Sequence, residues 1–422
     1  MKSLPWNGPR HRKGRRFAIA AAVLVIATGA IVAALVSSSP PIATSSRFVA
    51  GTPEAGAPVG LDVTLYLPAS TPAPAILLAH GFGGSKTDLD SEARSLAAHG
   101  YVVMAYTARG FGRSGGLIHL DAPAFEVADA SRLVSFLATI PEVRKDAPGD
   151  PRVGVAGSSY GGGLALLLGA DDKRVDAVGA DITWNDLSQA LFPNATGGEP
   201  GVFKKLWAGQ LFSSAIGRTG GACGRFAPDL CVAYQQAAET GTPDASILSL
   251  LKASSPAGVL NRITVPTLLS QGEEDSLFPL AQADANARGI AANGTPVKVI
   301  WRSGGHDGGT STSDLVQYLQ GWFDPVLLQR GRTDTSFDVT VPGSGISSAT
   351  GRTVSLSVHV DRAYTSGRTQ DVGVIGPPPT IYAPARGSPR AVSHGPGQAT
   401  LTPNAAPRGP ACGRENGWMW GV

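Results

Sequence analysis

From Leu61 onward, short apolar runs alternate with longer stretches of helical periodicity. Leu61 to Leu67 alternates as an edge strand. Ala75 to Ala79, Tyr101 to Tyr106, Arg152 to Ala156 and Val175 to Ala180 follow as further strands, and Leu89 to His99, Ala124 to Ile140 and Gly161 to Gly169 lie between them as helices. Runs that are apolar throughout suit strands buried on both faces. Strand–helix–strand succession also demands crossover connections, so the pattern predicts a mostly parallel sheet with helices on both faces. After Trp184 the rhythm breaks, with helical stretches and no strong strand. It resumes at Val265 to Ser270 (strand), Pro279 to Ala292 (helix), Val297 to Trp301 (strand) and Ser313 to Gln329 (helix). An insertion between parallel strands lies over their C-terminal ends, where ligands bind. Residues 184–262 therefore read as a helical cap within a domain spanning 55–332. From Thr333 short alternating runs, Phe337 to Val341 and Val354 to Val360, are separated by Gly and Pro turns, so 333–422 reads as a short antiparallel β module with an irregular tail.

The N-terminus carries a different signal. Phe17 to Val36 is twenty residues without a charge, about 30 Å as a helix, which matches a bilayer core. Lys2, Arg10, Arg12, Lys13, Arg15 and Arg16 precede it, with no acidic residue among them. The positive-inside rule then predicts a basic cytoplasmic head (1–16), a transmembrane signal anchor (17–36) and an extracytoplasmic remainder, joined by a Ser- and Pro-rich tether (37–54). A cleaved signal peptide is the competing reading, and it would make the protein secreted; Arg15-Arg16-Phe17 also resembles a twin-arginine signal.

Composition narrows the rest. Net charge is +3, and six positive charges lie in the first sixteen residues, so the remainder is slightly acidic and nothing points to a nucleic-acid partner. The three cysteines lack metal-ligand spacing. Cys223 and Cys231 read either as two buried thiols or, in an exported domain, as a short disulfide, and export favours the disulfide.

The sharpest local signal is Gly157-Ser158-Ser159-Tyr160-Gly161, directly after a strand and directly before a helix. In a nucleophile elbow the serine sits on a strained strand-to-helix turn, and glycines two before and two after it avoid clashes with neighbouring backbone. Ser159 is thus the candidate nucleophile. It needs a base, and the base needs an acid to orient it, in the chain order Ser, acid, His. His306, in Gly304-Gly305-His306-Asp307-Gly308-Gly309 after the last parallel strand, is the candidate base. Asp275 follows the strand after the insertion and is the candidate acid, with Glu273 and Glu274 as rivals; Asp307 reads as a loop-capping residue. The oxyanion hole is expected from the backbone N–H groups of Tyr160 and of Phe82, the latter in His80-Gly81-Phe82-Gly83-Gly84 after the first central strand. His80 itself reads as structural, tying loop to loop. Arg109 reads as a structural partner of a carboxylate beneath it.

The His80-Gly81 loop, Tyr106 with Arg109-Gly110-Phe111-Gly112-Arg113-Ser114-Gly115-Gly116, and Ser159-Tyr160-Gly161-Gly162 together resemble the Xaa-Pro dipeptidyl-peptidase and cocaine-esterase-like hydrolases. The resemblance covers roughly residues 55–330. It implies an α/β-hydrolase fold with a helical cap and a C-terminal jelly-roll β domain, which here is abbreviated. It also implies acyl transfer from a peptide or small-molecule amide or ester, a chemistry that requires neither metal nor organic cofactor. A non-catalytic binding or scaffold protein on the same shell is the alternative. A dehalogenase would carry aspartate at the elbow, where this chain has serine.

Overall fold

The computed structural model describes residues 42–194, 200–216, 221–308, 312–346, 353–363, 370–373, 390–393 and 398–402. The basic head (1–16) and the apolar segment (17–36) lie outside the described residues. Among the described residues no helix is long and apolar enough to cross a membrane.

The strands are β1 (Ala43–Ala50), β2 (Gly60–Leu67), β3 (Ala75–Ala79), β4 (Val102–Tyr106), a small ribbon β5 (Lys145–Ala147) with β6 (Asp150–Pro151), β7 (Val153–Ser158), β8 (Val175–Asp181), β9 (Thr267–Gly272), β10 (Val297–Arg302), β11 (Ser336–Ile346) and β12 (Thr353–Ala363). The main sheet runs β1-β2-β4-β3-β7-β8-β9-β10-β11-β12. From β4 to β11 every pairing is parallel, whereas β2 and β12 run antiparallel to their neighbours. The central strands β3 and β4 are buried at every residue. Successive side chains feed opposite faces, so such strands need cover on both sides.

One face is covered by helices Asp90–His99 and Thr312–Phe323. Gly154 and Gly179 lack side chains where Phe323 and Leu319 press onto the strands. The other carries Ala128–Leu137, Leu280–Ala291 and Tyr160–Asp171, the last buried along almost its whole length. The chain order reverses between β3 and β7, and a ligand crevice opens at such a point beyond the strand ends. The loop after β3 and the turn after β7 both end there. This is the α/β-hydrolase fold.

Between β8 and β9 the insertion is helical: Leu187–Leu191, Lys205–Ile216, Pro228–Thr240 and Ala245–Ala253. Asp186 and Asp244 cap two of these helices through their carboxylates. Cys223 and Cys231 are joined in a disulfide with Cα atoms 5.6 Å apart. At the root of the insertion, Trp184 Nε1–H donates to the Ser254 carbonyl at 2.8 Å.

Three expectations are corrected. Residues 43–54 are not a tether. Ala43–Ala50 pairs along its length with β2, and Thr52 and Glu54 are bound to Arg109 and Asp129. Because β1 covers it, β2 is not an edge strand. Its alternating polar residues are buried and satisfied: Lys86 Nζ donates to Asp62 at 2.6 Å, and the Thr64 hydroxyl lies 2.8 Å from Ser46. Thirdly, the segment from Thr333 does not begin a separate module. β11 joins β10 in parallel and β12 joins β11, with the Phe337 ring edge-on to Trp301 at 5.0 Å. A distinct three-stranded sheet, β13 (Gln370–Gly373), β15 (Gln398–Thr402) and β14 (Arg390–Ser393), follows in the order β13-β15-β14.

Candidate active site

Ser159 occupies the turn between β7 and the helix Tyr160–Asp171, with φ 55° and ψ −116°. Glycines make that turn feasible. A Cβ on Gly157 would stand 2.6 Å from the Ala79 carbonyl oxygen, and one on Gly161 would run into the same carbonyl group. The strained residue is held at both ends. Its N–H donates to the Asp181 carbonyl at 2.9 Å, and its own carbonyl accepts from Thr183 Oγ1 at 2.9 Å and from the Gly162 and Gly163 N–H groups.

His306 reaches this serine from the loop after β10. Gly305 and Gly308 bond each other's backbone at 3.1 and 3.2 Å, closing the loop around His306. At φ +144°, Gly305 has no room for a side chain, since a Cβ would meet Asp275 at 2.6 Å. The imidazole bridges two partners: Nδ1 lies 2.6 Å from Asp275 Oδ2, and Nε2 lies 2.8 Å from Ser159 Oγ. Its walls are Phe278 and Trp207, edge-on with ring centroids 5.1 and 6.0 Å away.

Asp275 is fully enclosed yet well supplied with donors. Oδ1 accepts from the Leu277 and Phe278 N–H groups at 3.0 and 2.8 Å, and Oδ2 accepts from the His306 N–H at 3.2 Å. These donors satisfy the lone pairs of a carboxylate that has no access to water. The rivals point elsewhere. Glu274 is exposed, and Glu273 has one oxygen sealed without a hydrogen-bond partner among the described residues. Burial, and then the neighbouring Glu274, push its carboxyl up to about 8. Asp307 accepts from the Ser276 N–H and Oγ–H at 2.6 and 2.8 Å.

The two segments that carry the expected oxyanion donors lie beside the serine. Tyr160 is the first residue of its helix, so its N–H has no intrahelical acceptor. The loop after β3 passes close by: a Cβ on Gly81 would stand 3.9 Å from Ser159 Cβ, and Gly84 N–H closes a turn onto the Gly81 carbonyl at 3.0 Å with Phe82 inside it. The Phe82 ring packs against Phe111, Tyr160 and Phe226. His80 ties two loops, accepting from the Ala108 N–H at 3.0 Å and lying 2.7 Å from the Gly81 carbonyl; burial lowers its pKa. Arg109 is bidentate on Asp129 at 2.7 and 2.8 Å.

Some supporting residues escaped sequence reasoning. Beneath the elbow, Ser158 Oγ donates to Asp181 at 2.9 Å, and Asp181 is paired with the buried guanidinium of Arg302 at 2.7 Å. The signal was an aspartate and an arginine at the last positions of two largely apolar strands. Lys204 and Trp207 of the insertion reach the acid loop, and nothing in their sequence spacing betrays it. Among the described residues no group of three or more His, Cys, Asp or Glu side chains could hold a metal ion.

A model of the X-Pro dipeptidyl-peptidase (S15 family) matches residues 56–308. The quorum-quenching protein AidA of Acinetobacter baumannii is 34% identical over 138 residues, covering 31% of this chain and 44% of that protein. An uncharacterized protein of Pseudomonas aeruginosa is 34% identical over 125 residues, 28% of this chain and 32% of that protein. The matches thus span less than half the length of these relatives. Among solved structures, Pyrococcus horikoshii acylaminoacyl peptidase shares the fold, with a TM-score of 0.50 at 16% identity over 72% of this chain and 44% of that one.

Proposed function

This chain belongs to the X-Pro dipeptidyl-peptidase family S15; from that premise we propose that it is a hydrolase of the peptidase or esterase type, acting as a serine hydrolase through Ser159, His306 and Asp275. The observation that carries this reading is the bridging imidazole, 2.6 Å from Asp275 on one side and 2.8 Å from Ser159 Oγ on the other.

In the proposed reaction Asp275 Oδ2 accepts the Nδ1–H of His306, which leaves Nε2 unprotonated and facing the serine. Ser159 Oγ attacks the carbonyl carbon of an amide or ester while Nε2 takes its proton. The carbonyl oxygen becomes an anion facing the Tyr160 and Phe82 N–H groups. His306 then gives the proton to the leaving amine or alcohol as the C–N or C–O bond breaks. Water, deprotonated by the same imidazole, releases the acid and restores the serine. The substrate is a peptide or small-molecule acyl compound. We further propose that residues 17–36 anchor the protein with this domain outside the cytoplasm. The disulfide supports that assignment, because such bonds persist in oxidising compartments.

The test is fluorophosphonate labelling of the full chain, wild type against Ser159→Ala. Labelling is expected only in the wild type, and turnover of the alanine variant should fall by on the order of 10⁶. A substrate panel of prolyl amides against simple esters then separates peptidase from esterase. A folded wild-type protein that does not label would favour the non-catalytic scaffold.

A further inference from the structure

The helical insertion sends two side chains back to the acid loop. Lys204 Nζ donates to the carbonyls of Ser276 and Leu277 at 2.6 and 2.9 Å. Trp207 donates its Nε1–H to Ser276 Oγ at 3.0 Å and sets its ring edge-on to His306. Ser276 in turn donates its N–H and Oγ–H to Asp307. Ser276 follows the acid and Asp307 follows the base, so these bonds bracket the pair.

The peptide geometry makes the link tighter. Lys204 holds the carbonyl oxygens of two successive peptide units, Ser276–Leu277 and Leu277–Phe278. The N–H groups of those same units donate to Asp275 Oδ1 at 3.0 and 2.8 Å. An ammonium at one end of each peptide dipole and a carboxylate at the other reinforce each other, because hydrogen bonds in series polarise one another. We infer that Lys204 and Trp207 are positioning residues: seated on the acid loop, the insertion keeps Asp275 and His306 in register, and lifting it slackens the triad. This regulation rests on the serine-hydrolase reading above. Lys204 acts through Ser276 and Leu277, whereas Trp207 acts through Ser276 and Asp307 and by packing its ring edge-on against His306.

The test uses the full chain with Lys204→Met, Lys204→Arg, Trp207→Phe and Ser276→Ala. Three quantities are measured: the rate constant for Ser159 labelling by a small fluorophosphonate, the low-field proton resonance of the His306–Asp275 bond, and the thermal midpoint. Labelling is expected to slow on the order of tenfold to a hundredfold in Lys204→Met and Trp207→Phe, the scale that small misplacements cost. The resonance should shift, Lys204→Arg should recover most of the rate, and the midpoint should stay near wild type. Ser276 is exposed, so its alanine variant cuts the Trp207–Ser276–Asp307 link without disturbing the core and should label slowly too. Wild-type labelling rates and an unshifted resonance in the variants would overturn the inference, even if KM for bulky substrates rose. A wild type that does not label overturns the serine-hydrolase reading itself, so the two failures are distinguishable.

Discussion

Ser159 is held at φ 55° and ψ −116°, a backbone state that costs a non-glycine residue on the order of 1–3 kcal/mol. Four hydrogen bonds to its backbone and two glycines without Cβ atoms sustain it. Gly161→Ala would press a methyl into the backbone carbonyl of Ala79, where no side chain can yield. Loss of at least about 1–3 kcal/mol in thermal unfolding is expected, with labelling of Ser159 abolished. Asp275→Asn keeps the shape but lets His306 settle in the wrong tautomer; turnover should fall by roughly 10⁴, with the thermal midpoint nearly unchanged. Glu273 gives a pH prediction. Burial raises its carboxyl from 4.5 to about 8, so between those values the folded chain holds a proton that the unfolded chain has released. Stability contributed by this group is therefore lost as pH rises from 4.5 to about 8. Glu273→Gln should flatten that decline and gain at least about 1 kcal/mol at the alkaline end, read from unfolding midpoints across the range. At this scale Ser159 and His306 were legible because glycines at fixed offsets mark sharp turns. Three successive acidic residues, by contrast, differ only in which one the Gly272 and Gly305 backbones turn toward the imidazole, and that is a tertiary fact.

Elements were legible where their pattern was decided by burial on both faces. The runs that became β3 and β4 announce themselves because every residue is apolar, and β7 is apolar from Val153 to Gly157. β1 does not. Most of Ala43–Ala50 is exposed, so its sequence looks like linker, and what fixes it is a long-range ladder to β2 and the anchoring of the next few residues by Arg109. That guanidinium is wholly buried, grips Asp129 with two bonds, donates to the Thr52 carbonyl at 2.8 Å, and lies over the Phe125 ring at 5.0 Å. Arg109→Met should cost about 3–5 kcal/mol, because it leaves the Asp129 carboxylate buried and uncompensated. Urea unfolding measures it, and hydrogen exchange should show the β1–β2 ladder opening first. Arg109→Lys should recover only part, since an ammonium cannot make the bidentate grip. In the insertion, the link between Cys223 and Cys231 closes a loop whose entropy is worth roughly 2–3 kcal/mol. Double replacement by serine should loosen the start of the helix Pro228–Thr240 while leaving the sheet intact.

The whole molecule is organised by where its sheet ends. The texture change at Thr333 is real, yet a boundary drawn there would cut through one sheet. β10 needs a partner on its far side: its Lys298 ammonium is nearly buried and satisfied by Asp334 at 2.8 Å, Asp338 at 2.6 Å and the Ser336 carbonyl at 3.1 Å. Phe337 and Val339 are buried in the same sheet. Sequence periodicity sees short alternating runs after Thr333 but not which neighbour each will pair with, since register and partner are settled by long-range contact. Ending the chain after Arg332 would expose the hydrogen-bonding edge of β10, strip Lys298 of its carboxylates, and forfeit roughly 3–6 kcal/mol from the two apolar side chains alone. Such a chain should aggregate, because an unpaired, flat strand edge is a template for other chains. A chain ended after Ala363 keeps the parallel β10–β11 ladder and its antiparallel cover, and in detergent should remain unaggregated and retain Ser159 labelling. Sedimentation and thermal unfolding of the two chains decide the matter: equal solubility and equal midpoints would mean that the hydrolase domain closes at 332 after all, and that β11 is the first strand of an independent module.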